Sequence, residues 1–279
     1  MQGNAHVSCT KYKNLNNISH YHSDHELVCV CEGNANIFIN ENFFHLRSKD
    51  CIFVHSNDIH HIQSDPSTII TVLKARQKHF ESIFASYKLR SPLIGKSAQI
   101  EGTLNSIAAE LKAGTDHSHI MADCIATQLF ITMLRGEPTQ TVESAESGRT
   151  STNELYNTIC KMVSSEYGTL TFSQAAKALH FSEPYFSKVF HSIFGMTFTH
   201  YLSIVRITAA IEKLKKGNMN ITDISADCGF NTIRNFNRVF KKFTGYTPSS
   251  LPSGYVFLYS LRDGYGLDPT LNCSEILES

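Results

Sequence analysis

Two stretches of this sequence, YFSKVFHSIFG at residues 185–195 and NFNRVFKKFTG at residues 235–245, follow one pattern at an offset of fifty residues. Phe186 and Phe190 lie four positions apart in the first stretch, and the second stretch has the same pair. Residues four apart share one face of an α-helix, and an apolar stripe on that face is typical of a buried surface. The repeat therefore predicts two related helices, each with one aromatic face in the core.

A second, shorter helix is predicted upstream of each copy. The segments FSQAAKALHFS, residues 172–182, and TDISADCGFN, residues 222–231, match each other with one residue of slippage. A short helix, a tight turn and a second helix form a helix-turn-helix unit, so the sequence predicts two such units. The small side chains that let the two helices of a unit cross closely are Ala175, Ala176, Ser225 and Ala226.

The turn inside each unit needs a residue that tolerates a positive φ. Gly229 meets this requirement in the second unit, and His180 is expected to meet it in the first. Ser182 and Asn231 are the predicted N-caps of the second helices, because their side-chain oxygens can accept from backbone N–H groups. These recognition helices are predicted over residues 182–194 and 231–244.

The two units lie in the basic part of the chain. Residues 150–250 hold eleven Lys and Arg against six Asp and Glu, although the whole chain has a formal net charge of zero. Between the units, THYLSIVRITAAIEKLKKG predicts one helix that ends at Gly217 and is roughly 27 Å long at 1.5 Å per residue. Such a spacer places two recognition helices about one DNA turn, near 34 Å, apart. The predicted function is DNA binding. For one copy alone, a pair of packed helices in an ordinary α domain would be an equal alternative.

Residues 155–251 resemble the DNA-binding domain of the AraC/XylS family of bacterial transcription regulators. The resemblance rests on LTFSQAAKALHFSEPYFSKVFHSIFGMTFTHYLSIVRI and on NITDISADCGFNTIRNFNRVFKKFTGYTPSSL, and the second stretch is the more specific. It implies a sequence-specific regulator of transcription that binds double-stranded promoter or operator DNA. It further implies an activator more often than a repressor, with RNA polymerase and a second copy of the chain as partners, and no enzymatic activity.

Carried over position by position, the family's base-reading sites fall on exposed positions of both recognition helices. Arg and Lys can donate to guanine O6 and N7, Asn can pair with adenine, and an aliphatic side chain can contact a thymine methyl group. Pro184 and Ser187 of the first recognition helix offer few hydrogen-bonding groups to a base. The second helix is therefore expected to read sequence more stringently than the first. The predicted DNA-binding residues are Pro184, Ser187, Lys188, Ile233, Arg234, Asn237 and Arg238. The lysines expected in solvent or on phosphates are Lys213, Lys215, Lys216, Lys241 and Lys242.

The N-terminal part of the chain has a different periodicity. From about Ser19 to Leu73, short β-rich runs alternate with turn signals, which favours an antiparallel barrel or sandwich. After Arg76 the apolar residues recur at helical spacing. The predicted fold class is α+β: a cupin-like antiparallel β-barrel with trailing helices, followed by an all-α domain. The predicted boundaries are 1–76 for the sensor barrel, 77–136 for a helical region that is a candidate for dimerisation, 137–154 for a polar linker, 155–251 for the DNA-binding domain, and 252–279 for a tail without an assigned role.

A second resemblance lies in the strand region. The spacing of His20, His22, Glu26 and Gly33, followed by Lys49-Asp50 and His60, is similar to the two motifs of cupin barrels. By position, the resemblance implies a set of four residues that could bind a small-molecule effector or a divalent metal, although no cofactor is required. The second motif departs from the pattern at Lys49, His55 and Asn57. The effector or metal set is His20, His22, Glu26 and His60.

Three alternatives stay open for this set: a bound metal, a metal-free pocket for a sugar or related polar metabolite, and a purely structural cluster. The histidines expected in packing or surface roles are His25, His45, His55 and His61. An enzyme whose helical domain only tethers it to nucleic acid is a rival interpretation of the whole chain. A constitutive DNA-binding protein whose barrel only dimerises is another.

The eight cysteines are scattered, which favours buried thiols over a disulfide framework. Cys29, Cys31 and Cys51 are expected to line the barrel interior, with a thiol sensor as an alternative. No apolar run approaches the roughly 20 residues of a membrane span, and the N-terminus has no secretory pattern. A cytoplasmic location without membrane contact is therefore expected. A helical stripe that suits either a dimer interface or internal packing contains Ile120, Cys124, Ile125, Gln128, Leu129, Thr132 and Met133.

Overall fold

The computed structural model describes residues 5–40, 42–95, 98–141, 149–255, 257, 261–262, 266–267 and 274–278. The chain divides into two compact units, Met1–Ser151 with Cys273–Ser279, and Thr152–Asn272. The first, which we call the β unit, is built on antiparallel sheets, and the second, which we call the helical unit, is mainly helical. This division confirms the predicted fold class. Within the described residues, no helix combines the length and the apolar character that crossing a membrane requires.

The apolar interior of the first unit lies between the inner faces of two antiparallel sheets. The strands of this unit are β1 (Val7–Lys13), β2 (His25–Glu32), β3 (Asn34–Ile39), β4 (Asn42–Arg47), β5 (Cys51–Val54), β6 (His60–Ser64), β7 (Ile69–Ala75), β8 (Tyr87–Leu89), β9 (Leu93–Ile94), β10 (Thr139–Thr141) and β13 (Glu275–Glu278). The larger sheet has the strand order β13-β1-β7-β2-β5-β9, and the smaller has the order β4-β3-β6.

Alternation along β2 shows how the sequence divides the core of this unit. Val28 and Val30 belong to the apolar cluster between the two sheets, whereas Leu27 and Cys29 belong to a cluster on the opposite face. Successive side chains of a strand point to opposite faces, so both faces of this strand must be apolar. The sheet is therefore covered on both sides.

Three helices cover the outer face of the larger sheet: α1 (Gln77–Phe84), α2 (Ala98–Ala113) and α3 (Ser118–Gly136). Phe130 of α3 lies at the centre of this layer, with ring centroids 5.2 Å from Phe80 and 5.9 Å from Phe53. The predicted α3 stripe is divided, because Leu129 and Met133 are buried in the unit's own core while Ile120 is half exposed.

The structure differs from the predicted boundaries at three places. The region after Arg76 is not wholly helical, since β8 and β9 interrupt it. The predicted linker contains β10, which pairs with β8, and a helix begins inside it at Arg149; residues 142–148 lie outside the described part. The tail contributes β13, which pairs with β1 and forms one edge of the larger sheet.

The cysteine prediction was wrong for one pair. Cys29 and Cys51 are opposite each other in the β2–β5 ladder and are joined by a disulfide. Both belong to the cluster that packs against the helices, so they do not line the barrel interior as expected. Cys31 has the same strand parity as Cys29, and its thiol lies 3.3 Å from Thr71 Oγ1. A one-residue shift of parity is enough to exchange the two faces.

The second unit is organised around one long central helix, α7 (Phe198–Lys216), most of whose apolar residues are buried. It ends where predicted, with Gly217 in the left-handed region at φ 69°. The other helices are α4 (Arg149–Glu166), α5 (Phe172–Ala178), α6 (Glu183–Phe194), α8 (Ile221–Asp227) and α9 (Ile233–Thr244). Residues Pro248–Ser250 form a 3₁₀ turn. The two short strands of this unit are β11 (Leu261–Arg262) and β12 (Gly266–Leu267).

Candidate DNA-binding surface and effector cluster

The two helix-turn-helix units, α5–α6 and α8–α9, have the same hydrogen-bonded turn. His180 has φ 56° and Gly229 has φ 78°, so both predicted turn residues adopt the left-handed conformation. The next residue closes each turn: Phe181 N donates to Ala176 O at 2.9 Å, and Phe230 N donates to Ser225 O at 3.0 Å. The repeat seen in the sequence is therefore a repeat of backbone geometry.

The N-caps agree with the prediction in the first unit and differ in the second. Ser182 is the N-cap residue of α6, although its side chain makes no capping hydrogen bond. Thr232, not Asn231, caps α9, and its Oγ1 accepts from Asn235 N at 3.2 Å. The second turn has one more residue than the first, which moves the cap by one position and accounts for the slippage in the sequence repeat.

The aromatic stripes are buried as predicted, and they fix which side of each recognition helix faces outward. Phe186 and Phe190 of α6, and Phe236 and Phe240 of α9, have no exposed surface. The opposite face of each helix is exposed and carries all seven predicted base-reading residues: Pro184, Ser187, Lys188, Ile233, Arg234, Asn237 and Arg238.

The two outward faces differ in chemistry. Pro184 occupies the first turn of α6, where proline suits the helix start, and it offers no side-chain donor. On α9, Arg238 Nη2 donates to Asn235 Oδ1 at 2.9 Å, which orients the guanidinium on the exposed face. The hydrogen-bonding groups that can read base edges are therefore concentrated on α9.

Arg206 of the central helix holds the loop that precedes the first unit. Its Nε donates to Tyr167 O at 2.7 Å and its Nη2 donates to Leu170 O at 3.0 Å. Burial lowers the pKa of this guanidinium from its usual value, although arginine stays charged. Arg206 thus has a structural role that no local pattern in the sequence indicated.

The four residues of the cupin-like set come together at one end of the β unit. Their ligand atoms all lie within 4.8 Å of one another. His20 and His60 form a backbone bridge, and Glu26 accepts from His22 Nε2 at 2.7 Å and lies 3.5 Å from His60 Nε2. Glu26 and His60 are buried, whereas His20 and His22 are partly exposed, so the set opens to the surface.

Each of the three imidazoles is oriented by a backbone carbonyl. The Nδ1 atoms of His20, His22 and His60 lie 2.9, 3.1 and 2.9 Å from the carbonyl oxygens of Ile18, Asp24 and Asp58. This arrangement holds Nδ1 of each ring on a backbone carbonyl and leaves Nε2 to face the centre of the set.

Lys74 is a fifth member that sequence reasoning missed. It lies on β7 directly opposite Glu26, and its Nζ is 2.9 Å from Glu26 Oε1. Ile70 and Val72 of the same strand face the apolar interior, so a lysine at the next position of that parity was a signal that could have identified it. We call these five residues, His20, His22, Glu26, His60 and Lys74, the barrel cluster.

Electrostatics within the barrel cluster favour an ionised Glu26. Burial raises the pKa of this carboxyl, but the hydrogen bond from His22, the close contact with His60 and the charge of Lys74 outweigh it, and the net shift is well below the usual range. Burial lowers the pKa of His60, and its contacts with Glu26 reverse the shift. Burial and the neighbouring His60 hold the pKa of His20 well below its usual value.

The remaining strand-region histidines do not join this cluster. His25, His55 and His61 are buried, while His45 is exposed on β4 and contacts Asn36. His25 packs on the rings of Phe53 and Phe84, on the face opposite Glu26. These positions agree with the packing and surface roles expected for them.

Comparisons with known proteins cover both units. The family model described as "AraC-like ligand binding domain" matches residues 10–130, and the model described as "Helix-turn-helix domain" matches residues 175–252. The chain belongs to the AraC family. This is a family of transcription regulators, which confirms the predicted recognition and the prediction that the chain is not an enzyme.

Two curated relatives show how far the similarity extends. The HTH-type transcriptional activator RhaR of Escherichia coli O139:H28 is 26% identical over 245 residues, which is 82% of this chain and 85% of that protein. The HTH-type transcriptional regulator SACOL0084 of Staphylococcus aureus is 24% identical over 248 residues, which is 86% of this chain and 32% of that protein. This AraC-family chain thus spans about a third of the staphylococcal relatives that it matches.

One solved structure that is similar to this chain is that of unsaturated fatty acid bound ToxT from Vibrio cholerae. It is 16% identical in sequence, and the superposition covers 89% of this chain and 96% of that chain with a TM-score of 0.37.

The barrel cluster of this AraC-family chain offers donors that fit a divalent metal ion. Three imidazole nitrogens and one carboxylate form a set suited to Zn²⁺ or a similar ion, and the Nε2 atom of His60 is buried without a hydrogen-bond partner among the described residues. The ammonium group of Lys74 disfavours a bound cation, because it already compensates the charge of Glu26.

Proposed function

We propose that the chain is a transcription activator in which the helical unit binds operator DNA and the β unit binds a small polar effector at the barrel cluster. The observation that carries the DNA-binding part is the exposed set Arg234, Asn237 and Arg238 on α9, opposite a fully buried aromatic stripe. The activator role is supported by the relative RhaR, which is itself an activator and is similar over most of its length.

RNA polymerase and a second copy of the chain are the protein partners of this proposal. The exposed apolar residues of α3, Ile120, Met121 and Ile131, support a homodimer through that helix. Since promoter DNA and RNA polymerase are in the cytoplasm of a bacterium, we place the protein there. The dimer is tested by light scattering on the full chain, with Ile120→Glu expected to give the monomer.

A test of DNA binding starts with enrichment of duplexes from a random library by the full chain. Affinity for the selected duplex is then measured by fluorescence anisotropy. Arg234→Ala and Asn237→Ala are expected to weaken binding by about 10- to 100-fold and to relax the preferred bases, since each base pairing contributes roughly 1–3 kcal/mol. Ser187→Ala is the matched control on the other recognition helix. Equal effects of Ser187→Ala and Asn237→Ala on base preference would contradict the stronger role of α9.

The effector site is expected at the mouth of the barrel and not deep within it. Beyond Glu26, the interior is filled by buried aliphatic side chains such as Val28, Val54 and Val72. At the mouth, imidazole nitrogens and the carboxylate accept hydrogen bonds from hydroxyl groups, and Lys74 donates. This chemistry fits a sugar or a related polyhydroxy metabolite, which would bias how the DNA-binding units of a dimer are presented.

A divalent cation is the second candidate for the same cluster. The backbone carbonyls that hold the three Nδ1 atoms favour it, because metal-bound histidines characteristically donate their other ring nitrogen to such a group. If an ion binds there, the ligands are His20, His22, Glu26 and His60. The ion would orient effector hydroxyl groups, and these four side chains would hold it.

Thermal shift with a panel of sugars, with and without EDTA, distinguishes these candidates. A sugar that raises Tm equally under both conditions indicates the metal-free site, whereas stabilisation that EDTA abolishes indicates the metal. His22→Ala is expected to remove either response. No response from any sugar or divalent ion, together with operator affinity that His22→Ala does not alter, would indicate a barrel that only dimerises.

A further inference from the structure

A second group of metal-ligating side chains lies on the helical side of the β unit. His6 directly precedes β1, His79 is on α1 and Asp123 is on α3. Their ligand atoms lie within 4.8 Å of one another. The neighbours of Asp123 on α3 belong to the cluster between sheet and helices, whereas Glu26 faces the barrel interior, so the two groups are on opposite faces of the sheet.

Asp123 is the fixed member of this group. It is 7% exposed, and its Oδ1 accepts from the backbone N of His6 at 3.0 Å. Its Oδ2 lies 2.8 Å from His6 Nδ1. One carboxylate oxygen is therefore engaged by the backbone, and the other is directed toward the two imidazoles.

The two imidazoles are parallel, and each has one nitrogen near the same carboxylate oxygen. Since the lone pairs of parallel rings do not converge, binding of one ion to both requires the exposed side chain of His79 to rotate. The rings of His6 and His79 stack with centroids 3.8 Å apart and planes 4° apart. His79 Nε2 lies 3.8 Å from Asp123 Oδ2, which is too long for a hydrogen bond. Ligand atoms of a tetrahedral Zn²⁺ are about 3.4 Å apart, because each bond is about 2.0–2.1 Å. The 2.8 and 3.8 Å separations bracket that value.

We propose that His6, His79 and Asp123 form a binding site for a divalent transition-metal ion, with Zn²⁺ the best match and water completing its coordination. Two imidazoles and one carboxylate suit Zn²⁺, Ni²⁺ or Cu²⁺, whereas Mg²⁺ and Ca²⁺ require oxygen ligands. The site opens into a cleft of about 520 Å³ that gives an ion access from solvent.

The residues that line this cleft affect the affinity that we expect of the site for a metal ion. Arg76 lines it, and this positive charge opposes cation binding. His119, one helical turn before Asp123 on α3, lines the same cleft without belonging to the ligand group. An ion bound here cross-links the segment before β1, α1 and α3, so it stabilises the folded β unit by mass action.

Cobalt titration of the untagged full chain tests the site, because tetrahedral Co²⁺ absorbs visible light. The barrel cluster is first disabled with His22→Gln and His60→Gln. Any Co²⁺ that the barrel cluster would bind is then excluded from the measured stoichiometry. We expect this background to bind one Co²⁺ per chain, and Zn²⁺ to displace it. His79→Gln and Asp123→Asn are each expected to raise Kd by about tenfold or more, while His119→Gln changes it by less than about threefold.

Two results would overturn the proposal: absence of Co²⁺ binding in the background variant, or a Kd that His79→Gln leaves unchanged. If the background variant does not fold, calorimetry on the wild-type chain takes its place. There, His79→Gln must remove one class of Zn²⁺ site while His119→Gln retains it. A stoichiometry that His79→Gln does not alter would again overturn the site.

Discussion

Glu26 of β2 and Lys74 of β7 lie opposite each other on the interior face of the larger sheet, with Glu26 Oε1 2.9 Å from Lys74 Nζ. The carboxylate is buried and the lysine is partly exposed. The lysine thus brings a positive charge from the surface to a buried carboxylate that also accepts from His22. The pair explains how the protein keeps a charged Glu26 beside an apolar core.

Removing Lys74 should therefore destabilise the folded protein, because the buried charge of Glu26 then loses its partner. Lys74→Met is expected to lower the free energy of unfolding by about 1–3 kcal/mol, less than for a fully buried pair because the lysine is partly in water. The double variant Glu26→Gln/Lys74→Met should lose less than the sum of the single variants. Urea denaturation measures all three. Simple additivity would show that the two groups are not energetically coupled.

The turn glycine of the second helix-turn-helix unit should resist substitution. A Cβ at Gly229 would collide with the carbonyl of Gly168 and come within 2.9 Å of Arg206 Cζ, at a φ of +78°. Gly229→Ala is therefore expected to cost more than about 2 kcal/mol. Gly254→Ala is the control, because among the described residues other than its chain neighbours no atom lies within 4 Å of the added methyl group. Thermal unfolding in which both variants behave alike would contradict the collision.

The corresponding residue of the first unit should respond in the opposite direction. His180 has a positive φ of 56° and is exposed. Replacement by glycine relieves the steric cost of that conformation, so His180→Gly is expected to stabilise the chain by about 0.5–1 kcal/mol. The measurement is again thermal unfolding. A loss of stability would show that the imidazole makes compensating contacts.

The lysines of the DNA-binding unit should differ in their contribution to salt dependence. Lys213 Nζ is 2.6 Å from Asp227 Oδ2, and this hydrogen bond raises the pKa of the lysine. Lys241 lies two turns after Arg234 on α9 and shares its exposed face. Lys241→Gln is expected to reduce the slope of log Kd against log salt concentration by about 0.9, the value for one phosphate contact.

Lys213→Gln is the matched control and should leave that slope unchanged, since its charge is already paired within the protein. Anisotropy titrations of the selected duplex at several salt concentrations provide both slopes. The reverse order of effects would place the phosphate contacts near Lys213 and not along the face of α9.

The free cysteines should differ in how fast they are alkylated in the native protein. Burial raises the pKa of Cys9, Cys160 and Cys228 to about 11, whereas Cys124 is exposed. At pH 8 a thiol of pKa 11 is about one-thousandth ionised, and the thiolate is the reactive form. Iodoacetamide followed by peptide mass spectrometry should show modification of Cys124 first, and of the other three only after unfolding. Native-state modification of Cys228 at the rate of Cys124 would contradict the packing of α8.

Local patterns in the sequence were enough to predict several features of this protein. The aromatic spacing of 186/190 and 236/240 identified the recognition helices, because a helix brings residues four apart to one face. The left-handed turn at Gly229 and His180 followed from backbone sterics. The spacing of His20, His22 and Glu26 grouped the carboxylate with the histidines through its resemblance to a cupin motif.

Tertiary structure alone decided the partners that approach from distant parts of the chain. Lys74 reaches Glu26 across 48 residues because β7 lies beside β2 in a particular register. The register of β2 with β5 joins Cys29 to Cys51 on the outer face, and the packing of α3 on the sheet brings Asp123 to His6 and His79. A period of two or 3.6 residues specifies the face of an element but not its neighbour. Which side chains meet therefore depends on sheet order and helix packing, which arise from burial of the whole chain's apolar surface.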